Sequence, residues 1–287
     1  MADHEYISEL IISRSDERND NERKERMKMD ANGIEINVII KGDASPALVF
    51  LHYWGGSSRT WDEVIEALPA TYLTVAPDLR GWGDSDAPLT GYALADFADD
   101  VQQLVINLAL RDYVLVGHSM GGKIAQVLAS RRPSGLKGVV LVATMPTPLM
   151  LPPAARSAMQ AAYLSRESVS VALDNMLTAK PLSAAQRERV IVDSMRGAPQ
   201  ARDAWPTSTS LEDISTLVSS IDVPVAVIAG ELDRVDGLPD VKQQLLSRIS
   251  QAQLHVLPGV GHLSPLESPA EVADVIVRFI QSLKGSF

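Results

Sequence analysis

Ser119 sits in the pentad Gly117-His118-Ser119-Met120-Gly121, with the apolar run Val114-Leu115-Val116 before it and a segment of helical spacing after it. A serine hydroxyl is a weak nucleophile. It attacks a carbonyl carbon only when a base takes its proton and fixed dipoles receive the charge that develops on the carbonyl oxygen. A G-x-S-x-G bend between strand and helix supplies the dipoles: the serine occupies a strained turn, and the first amides of the helix aim at the group under attack. Small residues are needed on both sides of the serine because side chains there would collide across the turn. Gly117 and Gly121 meet that need, Gly122 lets the helix pack closer, and the amide of Met120 becomes the first oxyanion donor.

An imidazole can serve as the base, since it accepts and returns a proton near its ordinary pKa of about 6.5. His262 closes the loop Pro258-Gly259-Val260-Gly261-His262, directly after the apolar-alternating stretch Ala252–Leu257. A carboxylate must then hold the ring in the right tautomer. Asp233, in Gly230-Glu231-Leu232-Asp233 after the apolar stretch Val223–Ala229, is the first candidate, with Asp236 in reserve. Ser119, Asp233 and His262 each leave the carboxyl end of an expected parallel strand, so all three project from one edge of the sheet. His52-Tyr53-Trp54-Gly55-Gly56 follows another apolar run, Ala47–Leu51, and the flexible Gly55-Gly56 pair lets amides turn inward, which makes Trp54 N–H the second oxyanion candidate. His52 is expected to support that loop through a hydrogen bond, His118 to point away from the serine oxygen, and His4 and His255 to have no chemical part.

These residues need a sheet to hold them. Asn32-Gly33 marks a hairpin turn between strands at Met27–Asp30 and Ile34–Lys41. Further strands are expected at Ala47–Leu51, Leu73–Ala76, Val114–Val116, Gly138–Val142, Val223–Ala229 and Ala252–Leu257. Leu94, Phe97, Val101, Leu104, Val105 and Leu108 recur at helical spacing within Ala93–Leu110, and Ser268–Leu283 is an amphipathic helix with Pro269 at its start. The Gly- and Asp-rich turn from Asp78 to Asp86 is assigned structure rather than chemistry, its carboxylates capping amides and Arg80 pairing with an acid. The fold class is therefore α/β, a mostly parallel central sheet flanked by helices, with an inserted helical lid. The domains are a charged extension over 1–26, a core of 27–144 and 212–287, and the lid at 145–211, where prolines, alanines and five of the nine methionines gather without strand signal. Methionine suits an adaptable apolar pocket wall.

With 287 residues, 46% of them hydrophobic, the chain builds one large core with an insertion. A formal charge of −10 disfavours nucleic acid and anionic membrane surfaces as partners. The apolar Leu10-Ile11-Ile12 is too short for a signal peptide or a membrane span, so a cytoplasmic location is expected. The absence of cysteine removes disulfides and thiolate metal sites, and the 5 histidines stand singly without metal-ligand spacing. No metal and no cofactor are expected. Nothing in the sequence sets an oligomeric state.

Taken together, His52–Gly56, Asp78–Ser85, Gly117–Gly122, Gly230–Asp233 and Gly259–His262 resemble the α/β-hydrolase superfamily, and the resemblance runs from Met27 to the C-terminus. Gly-His-Ser-Met-Gly-Gly and the Pro-rich Met145–Pro153 segment are similar to cofactor-free haloperoxidases and related small-acyl serine esterases. The resemblance implies Ser119 as nucleophile, His262 as base, Asp233 as acid and the Trp54 and Met120 amides as oxyanion hole. Tyr53 stands where those relatives usually carry glycine, and Gly55 where many carry proline, which alters the shape of the oxyanion loop. Haloalkane dehalogenases and epoxide hydrolases resemble the chain around Asp78–Ser85 but need a carboxylate nucleophile, which Ser119 is not. The implied substrate is a small-molecule ester of short to medium acyl length. Lactone cleavage, perhydrolysis and carbon–carbon hydrolysis use the same groups and stand behind it. A ligand-binding receptor or scaffold on the same fold is the non-enzymatic alternative, weighed down by the intact Ser119, Asp233 and His262 set.

Overall fold

Val114 and Val116 pack on one face of a central sheet and Tyr113 and Leu115 on the other, and all four are buried. That is why the strand appears in sequence as a continuous apolar run rather than an alternation: both of its faces are covered. A computed structural model of the chain describes residues 25–283. The charged extension expected over 1–26 lies outside the described residues except for Glu25 and Arg26, as does His4.

Eight strands form one sheet: β1 Glu25–Ala31, β2 Ile34–Lys41, β3 Ala44–Leu51, β4 Tyr72–Pro77, β5 Tyr113–His118, β6 Leu136–Val142, β7 Val225–Gly230 and β8 Ala252–Leu257. Their spatial order is β1-β2-β4-β3-β5-β6-β7-β8. The pairs β1–β2 and β2–β4 are antiparallel and the others parallel. Asn32 and Gly33, both with positive φ, make the β1–β2 turn expected of them.

The helices cover both faces. The longer ones are α1 Asp62–Ala67, α2 Leu94–Asn107, α3 Met120–Ser130, α4 Pro153–Ala161, α5 Arg166–Ala172, α6 Ala184–Arg196, α7 Pro199–Thr207 and α8 Pro269–Leu283. Val64 of α1 and Val272, Val275, Ile276 and Phe279 of α8 close over Leu48, Phe50, Val114 and Val140. Phe97 and Val101 of α2 and Ile124 and Leu128 of α3 close over Val49, Leu115 and Val139 on the opposite face. Two boundaries differ from expectation for local reasons. Helix α2 stops at Asn107 because Ala109 takes a positive φ of 50°, and β7 starts at Val225 because Pro224 has no amide hydrogen to give the ladder. Helices α4 to α7 all lie between β6 and β7. Among the described residues no helix is long and apolar enough to cross a membrane.

The Asp78–Asp86 turn is structural. Asp78 accepts from Ser58 N at 2.7 Å, Asn37 Nδ2 at 2.8 Å and Asp84 N at 2.9 Å. Arg80 makes paired 2.6 Å bonds to the buried Asp100.

Candidate active site

Parallel β3 and β5 are neighbours in register, Leu51 opposite Gly117, so the two loops leaving their carboxyl ends lie side by side. Ser119 sits at the bend between β5 and α3 with φ 53° and ψ −112°. Neither angle suits an L-residue, and the tight approach around the bend enforces both. A Cβ at Gly117 would lie 2.4 Å from Gly121 O, and one at Gly121 would lie 2.3 Å from Leu51 O. Glycine is thus obligatory there because backbone passes backbone. Ser119→Gly should raise the unfolding free energy by about 1 kcal/mol, the relief of strain exceeding the entropy that glycine adds to the unfolded chain. Urea denaturation checks this; equal or lower stability would mean that the bend stores no strain.

His262 leaves the loop after β8 and Asp233 the loop after β7. His262 Nδ1 lies 2.9 Å from Asp233 Oδ2, and His262 Nε2 lies 3.0 Å from Ser119 Oγ. With the Nδ1 proton donated to Asp233, Nε2 is left as an acceptor for the serine hydroxyl. Asp233 Oδ1 accepts from Val235 N at 2.8 Å and Asp236 N at 3.0 Å, which fixes the carboxylate. Asp236, the reserve candidate, makes no side-chain bond to the ring among the described residues. Burial pushes the His262 ring down, but the charge and hydrogen bond of Asp233 outweigh it and hold the ring above its ordinary pKa. Asp233 is held below the ordinary carboxylate range, burial being overcome by His262 and the two amides.

The loop Tyr53–Gly56 is braced from several sides. His52 Nδ1 donates to Tyr53 O at 2.8 Å, and its Nε2 accepts from Leu79 N at 3.0 Å. Tyr53 C=O and Trp54 N–H belong to one peptide plane, so His52 orients the Trp54 amide directly. Burial pushes the His52 ring down, which keeps it neutral as that pair of bonds requires. Among the described residues neither Trp54 N–H nor Met120 N–H has an acceptor in the protein. Gly55 has φ 95°, and a Cβ there would strike the Tyr163 ring at 2.4 Å.

Several contributors carried no signal in the sequence. Tyr163 donates its hydroxyl to Trp54 O at 2.9 Å and stacks on the Trp54 ring with centroids 4.1 Å apart. Ser194 Oγ donates to Gly55 O at 3.0 Å. Glu267 Oε2 accepts from the amides of Ala179, Lys180 and Gly261 at 2.8, 2.8 and 3.0 Å, tying the segment before α6 to the His262 loop. His118 does turn from the serine oxygen, and its Nε2 donates to His262 O at 2.8 Å. Burial pushes that ring down to about 3, so it stays neutral and braces the loop without titrating.

Above Ser119 lies a cavity of about 710 Å³. Leu149, Leu151, Met159, Met176, Leu177 and Trp205 supply much of its wall, all from the chain between β6 and β7. Met145 joins Met159 and Met176 in that wall, while Met150 and Met195 do not.

Residues 48–275 match the alpha/beta hydrolase family model. The chain is 31% identical over 254 residues to the 2-succinyl-6-hydroxy-2,4-cyclohexadiene-1-carboxylate synthase of Enterobacter sp. (strain 638), covering 82% of this chain and 92% of that one. It is 26% identical over 279 residues to the soluble epoxide hydrolase of Corynebacterium sp. (strain C12), covering 88% and 96%. The bromoperoxidase from Bacillus anthracis shares the fold, with a TM-score of 0.82 at 21% identity over 90% of this chain and 100% of that one. A family match spanning β3 to α8, on a sheet of this order, decides the assignment: the chain belongs to the alpha/beta hydrolase family.

Proposed function

We propose that the protein is a serine hydrolase that cleaves carboxylic esters of small to medium acyl groups through an acyl-enzyme intermediate. The observation that carries this reading is the unbroken relay from Ser119 Oγ through the His262 ring to Asp233 at the floor of an apolar cavity. Ser119 Oγ attacks the ester carbonyl carbon while its proton passes to His262 Nε2. The carbonyl oxygen becomes an oxyanion, met by the amides of Trp54 and Met120, each such donor being worth about 10²–10³ in rate. Collapse breaks the bond to the alcohol oxygen, which leaves with the proton from Nε2. Water, deprotonated by the same nitrogen, then attacks the acyl-enzyme and releases the acid, regenerating Ser119. The ring passes through the imidazolium twice, and Asp233 stabilises it both times. Epoxide opening through an alkyl ester requires a carboxylate where Ser119 stands, and that chemistry gains no support from this chain.

Residues 145–211 act in this reading as a lid, whose Tyr163 and Ser194 hold the oxyanion loop from above. A cavity of about 710 Å³ suits a small ester. On a graded series of 4-nitrophenyl esters, kcat/KM should peak at short to medium acyl chains and fall beyond about a dozen carbons. Rates climbing steadily past that length would sink the compact pocket. Absence of turnover on esters, lactones and acetate with peroxide, alongside tight ligand binding, would favour the receptor alternative.

A further inference from the structure

The cavity's buried charge is concentrated. Hydroxyl and amide side chains are spread along a mostly apolar wall, but its buried charged groups apart from His262 are confined to one corner, that of Lys123 and Asp236, with Ser210 in the same lining; Arg234 and Glu167 stand at exposed positions. Lys123 follows Ser119 by one turn of α3, its amide bonded to Ser119 O at 3.0 Å. It is only 4% exposed. Its ammonium donates to Thr147 O at 3.0 Å and Glu212 O at 2.8 Å, both uncharged backbone acceptors, and among the described residues no carboxylate comes within ion-pair distance of it. An ammonium has three donors, and two are used. Burial pushes Lys123 down to about 8, which leaves it mostly charged at neutral pH.

Ser210 provides an independent sign. Its carbonyl accepts from Leu149 N at 2.8 Å, which places it between the two chain segments that grip Lys123. The residue is 1% exposed and lines the cavity, yet its hydroxyl is buried with no hydrogen-bond partner. Buried hydroxyls are normally satisfied, and this one, closed off just behind the cavity wall, is a donor that a ligand atom completes once the wall shifts to admit it. Asp236 does not cancel the cation by contact: it makes no side-chain hydrogen bond among the described residues, and burial pushes its carboxyl up to about 7.

We infer that this corner receives a second, anionic carboxylate on the substrate, bound by the Lys123 ammonium and the Ser210 hydroxyl, so that the preferred esters are monoesters of short dicarboxylic acids. One charge and two donors match a carboxylate's one charge and two oxygens, whereas a phosphate dianion would need more of both. The backbone positions 119 and 123 lie about 6 Å apart along α3, which keeps the corner in the same part of the cavity as Ser119 and suits a short dicarboxylic monoester. The chain's charge of −10 opposes anions at long range, but solvent-exposed charges beyond about 8 Å are screened, and the buried cation governs the corner.

The inference rests on the ester-hydrolase reading, and the test separates the two. Monoethyl glutarate and ethyl pentanoate have equal chain length and differ in a terminal carboxylate against a methyl. The wild-type protein should favour monoethyl glutarate in kcat/KM by about tenfold or more, the scale of charged hydrogen bonds. Lys123→Met should lower that ratio by about tenfold and Ser210→Ala by roughly threefold or more. Ser210→Ala removes a hydroxyl that bonds to nothing in the protein, so it remains informative if Lys123→Met fails to fold. Both esters cleaved without preference, with the ratio unmoved in the variants, would overturn the inference, leaving Lys123 as a brace between Thr147 and Glu212 and the esterase reading intact. If neither ester is cleaved, the esterase reading fails by itself. Calorimetric titration of glutarate against pentanoate then decides: tighter glutarate binding that Ser210→Ala weakens supports the corner, and equal binding overturns it.

Discussion

Ser119→Ala is expected to lower kcat for a short-chain ester by about 10⁴–10⁶-fold, with a much smaller change in KM. The variant keeps the His262–Asp233 pair and the free amides of Trp54 and Met120, so it retains binding and oxyanion stabilisation but has no oxygen to form the acyl bond. Its fold should survive, because Ser119 Oγ has His262 as its only hydrogen-bond partner among the described residues. A fluorophosphonate probe gives the second measurement: one adduct per wild-type chain, mapped to residue 119, and none on the variant. Turnover within tenfold of wild type after the substitution would place the nucleophile elsewhere and sink the proposed mechanism. A receptor that merely shares the fold would show no wild-type turnover to lose.

The parts of the fold legible in the sequence are those governed by local rules. Val114-Leu115-Val116 announces a strand because both its faces are covered, and Asn32-Gly33 announces a turn because both residues take positive φ. The loops bearing Ser119, Asp233 and His262 were legible because each follows an apolar run, and parallel strands send their carboxyl ends to one edge. Asp233 is preferred over Asp236 in the sequence for its place in Gly230-Glu231-Leu232-Asp233, and the structure supplies the physical cause. The two stand three residues apart in one loop, and the amides of Val235 and Asp236 folding back on Asp233 Oδ1 determine which carboxylate meets the ring. Tyr163 and Ser194 were beyond reach. Each contact spans more than a hundred positions, 109 for Tyr163 to Trp54 and 139 for Ser194 to Gly55, and no local pattern encodes a pairing of that range. Nothing local in the sequence marks Lys123 as buried, because the carbonyls of Thr147 and Glu212 that hold its ammonium lie 24 and 89 positions away.

Asp233→Asn tests the relay from its other end, and the geometry dictates how the amide must sit. Oδ1 of the native carboxylate accepts two backbone N–H groups. An amide nitrogen cannot replace it there, since donors would face donors, so the amide oxygen takes that side and the NH₂ turns to His262. The ring nitrogen facing it must then accept, which moves the imidazole proton to Nε2, where it points at Ser119 Oγ and the ring can no longer act as base. A loss of about 10⁴-fold in kcat follows from this tautomer reversal. The pH profile adds a signature that simple misfolding would not produce. The base works only when neutral, and in the wild-type protein Asp233 holds His262 above its ordinary value against the opposing effect of burial. The acid limb of kcat/KM should therefore be centred above about 6.5. With Asp233 neutralised, Asp236 and Glu267 remain as weaker positive contributions while burial persists, so the limb of the residual activity should shift to lower pH. Measuring kcat/KM from acid to neutral pH in both proteins gives the answer. A variant whose limb stays where the wild type has it would show that the charge of Asp233 does not set the proton affinity of the ring, and the relay would lose its third member.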